Sequence, residues 1–174
     1  MSPIDLVLPP SQTGRALLIL LAALAILAAA WTFQEFGVRP CELCFMERYA
    51  YYAGAPIAAL TAWLASRSAH VAARALFVLL ALIFLANTGL AFYHVGVEQH
   101  WWQGPAACTG SLTAPVNVND LAKAINAEPV IRCDEPALRI FGVSLAGWDV
   151  VASAAIALYA ALAAWLAGPS SLRA

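Results

Sequence analysis

The run ALLILLAALAILAAAWTFQEF, residues 16–36, decides the fold, because its one charged residue, Glu35, stands at its far end. A helix rises about 1.5 Å per residue, so about 20 apolar residues cross a hydrocarbon core of about 30 Å. Outward from it, three more stretches qualify: residues 45–65, 71–93 and 145–167. Backbone N–H and C=O groups in lipid must find partners within their own segment, which excludes open strands there. The expected fold is an all-α membrane protein. It is a four-transmembrane-helix bundle forming a single domain over residues 1–174, with a short loop at 37–44 and a long loop at 94–144.

Composition agrees. The chain is 63% hydrophobic and 11% charged, with a net charge of −1. A soluble domain of this size has no core large enough for so much apolar surface. A near-neutral chain also lacks the basic field that nucleic acid requires, so DNA and RNA are excluded as partners. The first run shares features with a secretory signal, since Arg15 precedes it and Ala28-Ala29-Ala30 could be cleaved. Its length and the acidic Asp5 favour a retained span, and a mature protein beginning near Trp31 would show otherwise.

Four spans put both termini on one side. That side holds Arg15, Arg67, Arg74 and Arg173, against Arg39, Arg48, Lys123, Arg132 and Arg139 on the other. Long loops weigh little in the positive-inside rule, so the tails and the tight turn at 67–70 are expected in the cytoplasm. All four cysteines, Cys41, Cys44, Cys108 and Cys133, then lie on the outer side, where disulfides persist. Their pairing stays open, since four cysteines allow three connectivities. In the long loop, Val118, Leu121, Ala122 and Ile125 recur at helical spacing and predict a short amphipathic helix. It lies on the membrane surface or packs on the spans. Trp101 and Trp102 stand where an interfacial aromatic belt is expected.

The chemistry concentrates in Pro40-Cys41-Glu42-Leu43-Cys44, followed by Glu47 and Arg48. A Cys-x-x-Cys pair closes a small, reducible disulfide, and a helix starting there would turn its positive end toward the thiolates. Arg48 lies one turn beyond Cys44, within reach of the thiolate or of a bound carbonyl oxygen. Glu42 and Glu47 oppose that field. The same pair could be half a zinc site, but Cys108 and Cys133 are not the second close pair such a site wants, so no metal is expected. Haem attachment would need His where Phe45 stands. A structural staple this short would constrain almost nothing. Cys108 and Cys133 close a longer loop that is structural or redox-active; Gly104-Pro105 and Thr109-Gly110 point to an exposed, labile disulfide. His94, at the end of the third span, is a polar anchor or a proton-holding ligand group. Asn87 and Thr88 are expected to bond between helices, and Pro56 to kink the second.

Together these motifs have a known counterpart. Cys41-Glu42-Leu43-Cys44-Phe45-Met46-Glu47-Arg48, Tyr93-His94-Val95-Gly96-Val97-Glu98, Trp102-Gln103-Gly104-Pro105, Arg132-Cys133-Asp134-Glu135-Pro136 and Phe141-Gly142-Val143-Ser144-Leu145-Ala146-Gly147-Trp148 resemble the disulfide bond formation protein B (DsbB) family. The resemblance implies a bacterial inner-membrane enzyme that oxidises a periplasmic thioredoxin-fold dithiol protein (DsbA-like) and passes the electrons to ubiquinone or menaquinone. It implies that Cys108 takes the mixed disulfide, that Cys133 exchanges with Cys41, and that Cys44 is released as a thiolate to react with the quinone. Arg48 and His94 match positions near the quinone. Leu145 stands where relatives commonly carry methionine close to it, and Asp149 where they carry asparagine. Two other readings compete. One is a vitamin K epoxide reductase-like protein running electrons in another direction, although such proteins place their Cys-x-x-Cys late in the chain. The other is a non-enzymatic scaffold with structural disulfides.

Overall fold

The computed structural model describes residues 11–105 and 131–167. Within them lie four helices, α1 Gln12–Glu35, α2 Glu42–Ser66, α3 His70–Glu98 and α4 Leu145–Leu166. A hairpin of β1 Arg139–Ile140 and β2 Val143–Ser144 precedes α4. The predicted loop helix near residues 118–125 lies outside the described residues.

Local chemistry sets the helix starts. The Ser11 hydroxyl accepts from Gly14 N–H at 3.1 Å, and the Ser144 hydroxyl accepts from Gly147 N–H at 3.1 Å. Each satisfies a donor the first turn leaves unpaired. At α2 a cysteine has this role, Cys41 Sγ accepting from Cys44 N–H at 3.3 Å. α3 runs past the expected span end at Tyr93 and places His94 inside the helix, a full turn before its end at Glu98. The hairpin went unexpected because two-residue strands leave no periodic signal. Phe141 and Gly142 take φ of 53° and 82°, the paired positive values of a tight hairpin turn. Trp148 Nε1–H donates to Ile140 O at 3.1 Å and fastens the hairpin to α4.

Helices α1, α3 and α4 are long and apolar enough to cross a membrane. α2 is as long, but Glu42, Glu47 and Arg48 fall in its first two turns, which sets it apart from the other three. The helices pack α1 on α2, α2 on α3 and α3 on α4, while α1 touches α4 only lightly. Ile19, Tyr51, Phe77, Leu80 and Phe84 fill the centre with small residues such as Ala23, Ala58 and Ala160. Gly54 lets α2 meet α3 closely, since a Cβ there would lie 2.8 Å from the Phe84 ring. Small residues at contacts and Leu21, Leu82, Leu85 and Leu158 turned outward are the arrangement of helices solvated by hydrocarbon. Pro56 lies within α2. Asn87 bonds across to α4 as expected, whereas Thr88 turns its hydroxyl back to Phe84 O of its own helix.

Candidate functional site

The end of α1, the start of α2, the end of α3 and the start of α4 meet at one end of the bundle. There Cys41 and Cys44 are free thiols with their sulfurs 3.0 Å apart. Cys41 is buried, and His94 Nε2 from α3 lies 3.5 Å from its sulfur. On the other side of the ring, His94 Nδ1 meets Glu47 Oε1 at 2.7 Å. Glu47 and His94 are only 6% and 2% exposed, so this pair is held away from water. Contact with the Cys44 thiol pulls Cys41 down to about 4, with help from His94 and the Cys44 N–H and against the effect of burial. The helix-start field expected at the pair therefore acts on Cys41, through a cap bond that its own sulfur accepts.

Two cavities flank the pair. The larger, of about 400 Å³, opens where α1 and α4 pack lightly, and is lined by Phe33, Cys44, Arg48, Leu145, Trp148 and Asp149 among others. Arg48 is braced across it by α1, donating to Gln34 Oε1 at 2.9 Å and to Ala30 O at 3.4 Å, with its guanidinium 5.3 Å from the Phe45 ring centroid. The smaller, of about 20 Å³, is lined by Cys41, Cys44, His94 and Glu98 beneath Ile131 and Arg132. Cys44 faces both cavities. Of the residues singled out as ligand contacts, Cys44, Arg48 and Leu145 thus line the larger cavity, and His94 lines the smaller one at the sulfurs.

Cys133 is disulfide-bonded and 1% exposed, packed into one small cluster with Cys41, Leu43 and Val97. That corrects the expectation of an exposed disulfide as far as Cys133 is concerned: the residue is buried in the same cluster as Cys41. Beside it, Arg132 donates to both oxygens of Asp134, at 2.9 and 2.6 Å, and this holds the Asp134 carboxyl below its ordinary range. Cys108 lies outside the described residues. Trp102 packs on the last turns of α3, stacked on Tyr93 with ring centroids 5.9 Å apart and donating to Tyr93 O at 2.8 Å.

Sequence reasoning missed two partnerships and one buried acid. Glu47, read from the sequence only as a charge opposing the field at the cysteines, has His94 as its partner. Asp149 anchors a polar cluster: it accepts from Tyr51 and, at 3.0 Å, from Asn87, while Ser153 Oγ lies 2.9 Å from the Tyr51 hydroxyl and 2.8 Å from Asn87 Nδ2. Glu98, one turn beyond His94, is buried at the smaller cavity. A signal existed for each. All are polar groups inside apolar helices, which have to find partners there.

Known proteins resemble this chain over most of its length. The family description "Disulfide bond formation protein DsbB" matches residues 12–163. The disulfide bond formation protein B of Herminiimonas arsenicoxydans is 30% identical over 148 residues, covering 81% of this chain and 87% of the relative. Its namesake in a Polaromonas species is 30% identical over 149 residues, with 81% and 83% covered. An uncharacterized protein of Rickettsia prowazekii is 24% identical over 147 residues, covering 83% of each chain. No solved structure matches.

Proposed function

This chain belongs to the disulfide bond formation protein B family, and from that premise we propose that it oxidises a periplasmic thioredoxin-fold dithiol protein at the expense of membrane quinone. The observation that carries the reading is the position of Cys44 between two unlike cavities, one lined by Cys41, which packs in one cluster with Cys133, the other a large apolar space with Arg48 at its wall. That space suits a flat apolar ring carrying carbonyl oxygens. Its lining is almost wholly apolar, and Arg48 offers a fixed cation to an oxygen that gains negative charge.

On this reading α2 is the fourth span, the termini are cytoplasmic, and the cysteine end faces the periplasm of a bacterial inner membrane. Cys133 pairs with Cys108. The partner's thiolate attacks Cys108 and its second thiol completes the partner's disulfide, leaving Cys108 and Cys133 reduced. Cys133 then attacks Cys41 of an oxidised Cys41–Cys44 pair, and Cys44 leaves as a thiolate. Closing the Cys108–Cys133 bond regenerates the loop disulfide and leaves Cys41 and Cys44 as the dithiol. Quinone, ubiquinone or menaquinone, accepts the two electrons and two protons released when Cys41–Cys44 closes again. His94, held by Glu47, moves the proton at Cys41, while Arg48, Leu145 and Trp148 hold the ring against Cys44. Burial of Cys133 directs the external attack to Cys108.

Purified protein in detergent, mixed with a reduced thioredoxin-fold dithiol and a short-chain quinone, should consume quinone with one partner disulfide formed per quinone. Cys44→Ser should stop quinone reduction by any donor. Cys108→Ser should stop it with the protein donor and spare it with a small dithiol that reaches Cys41–Cys44 directly. No quinone consumption by folded, oxidised protein would sink the proposal.

A further inference from the structure

The smaller cavity supports a second chemistry, one that needs neither quinone nor partner. We propose that the reduced Cys41–Cys44 pair and His94 bind a single soft divalent cation of the zinc type, and that the cation holds the pair reduced. Zinc had been set aside for want of a second close cysteine pair. The third donor is instead a histidine brought in from α3.

Sγ of Cys41, Sγ of Cys44 and a ring nitrogen of His94 all lie within 4.8 Å of one another. Tetrahedral zinc, with bonds of about 2.3 Å to sulfur and about 2.0–2.1 Å to nitrogen, sets its sulfur and nitrogen ligands about 3.5 Å apart and its two sulfurs about 3.8 Å apart. Cys41 Sγ and His94 Nε2 already stand at 3.5 Å, and the sulfurs at 3.0 Å. One edge of the tetrahedron is therefore in place, the sulfur–sulfur edge opens by about 0.8 Å, and the third, from Cys44 to His94, is already within 4.8 Å.

Three further features point to a cation. Glu47 Oε1 lies 2.7 Å from His94 Nδ1 and can take its N–H, so that Nε2, which faces the Cys41 sulfur, becomes a ligand once the cation displaces its proton, the tautomer a metal-bound histidine uses. The cavity is about 20 Å³, room for one water-sized body. Glu98 lines it at 7% exposure, and its Oε2 has no hydrogen-bond partner among the described residues. Glu98 follows His94 at i+4, on the same helix face; its carboxylate lies outside the group of ligand atoms within 4.8 Å of one another, so it would complete the site through a bridging water. Two thiolates and an imidazole select zinc-like ions over magnesium or calcium.

Binding moves no electrons. The cation displaces up to two protons from the set formed by the two thiols and His94, and these pass to solvent. The competition with oxidation is geometric: a disulfide needs the sulfurs about 2.05 Å apart, the metal about 3.8 Å. Metal occupancy and disulfide formation thus exclude each other.

The test uses the full chain in detergent, reduced, freed of reductant and kept anaerobic, with Co²⁺ as probe and no quinone or partner present. The expected result is one cobalt per chain with the visible bands of a tetrahedral thiolate site, bleached by one equivalent of Zn²⁺. Oxidised wild-type protein, which needs no mutation to fold, should give none of these bands. Glu47→Gln and Glu98→Gln should each weaken zinc about 10–100-fold, in the manner of groups that orient or complete a metal site, and His94→Gln at least as much. No cobalt bands in the reduced protein, or bands that persist after oxidation, would overturn the proposal. Because quinone is absent, either result leaves the oxidase reading to its own assay.

Discussion

The hydrogen-bond setting of Cys41 predicts how its reactivity responds to pH. A thiol near the ordinary 8.5 is about 0.3% ionised at pH 6, whereas one at about 4 is ionised almost completely. That is a gain of about 300-fold in thiolate. Thiolates lose nucleophilicity as their pKa falls, with a Brønsted slope of about 0.4–0.5, so a drop of about 4.5 units costs about 100-fold per thiolate. The two effects nearly cancel, and the absolute rate at pH 6 exceeds that of a free cysteine by only about threefold before burial slows it further. The shape of the profile carries the information. Reduced protein mixed with a small neutral disulfide should release probe thiol at a rate that stays level between about pH 5 and pH 8 and falls only below that range, as pH approaches about 4. Contact with Cys44 is the largest cause of the depression. Cys44→Ala, which removes that donor, should therefore move the inflection of Cys41 upward; the measurement is made in a Cys108→Ala/Cys133→Ala background, wild type at Cys41 and Cys44, so that the loop cysteines contribute no thiol. A wild-type rate rising about tenfold per pH unit between about pH 5 and pH 8 would refute the reasoning, because it would place the reacting thiol in its ordinary range.

Other sites yield shorter expectations. Gly54→Ala drives a methyl to 2.8 Å from a Phe84 ring already packed edge-on to Tyr51 at 5.2 Å. It should lower stability by about 1–3 kcal/mol in detergent unfolding, as overpacking does. Asn87→Ala removes a donor to both Asp149 and Ser153 and should cost about 1–3 kcal/mol by the same measurement. Arg48→Gln should raise the KM for quinone about 10–100-fold, the worth of a hydrogen bond from a charged donor, with disulfide exchange between partner and protein unchanged. Equal losses in both steps would place Arg48 in folding and not at the cavity.

Run length made the helices legible. Residues 16–36 and 145–167 became α1 and α4 to within a few positions, because an apolar run of that length has one low-energy form in hydrocarbon. Cys41 and Cys44 were legible for a local reason, since helical spacing and a preceding proline fix their geometry without help from the rest of the chain. What escaped was everything set by rotation between helices. Whether Glu47 faces His94 or lipid, and whether His94 faces the large cavity or the sulfurs, depends on a few tens of degrees about the helix axes. Neither hydropathy nor spacing within one helix records that angle. Nor does anything local to Cys133 say whether it lies exposed in the loop or buried beside Cys41.

That angle is set by the polar cluster around Asp149. Tyr51 comes from α2, Asn87 from α3, and Asp149 and Ser153 from α4, so one cluster fixes the mutual rotation of three helices. Between apolar faces in lipid there is little hydrophobic preference for one rotation over another, and interhelical hydrogen bonds carry much of that choice. Those helices also carry the site: α2 the cysteines, Glu47 and Arg48, α3 His94 and Glu98, and α4 Leu145 and Trp148. α1 stands apart from this cluster. It is tied to α2 by Arg48 with Gln34 and Ala30, and by Trp31 Nε1–H donating to the Tyr52 hydroxyl at 3.0 Å, while it touches α4 only lightly. The larger cavity lies along that light contact, with apolar side chains of α1 as one wall. Separating apolar surfaces in hydrocarbon costs little, since lipid tails replace the contacts that are lost. The rigid side of the cavity therefore holds the reacting groups in register, and its compliant side is the one an apolar ring dissolved in the bilayer would meet.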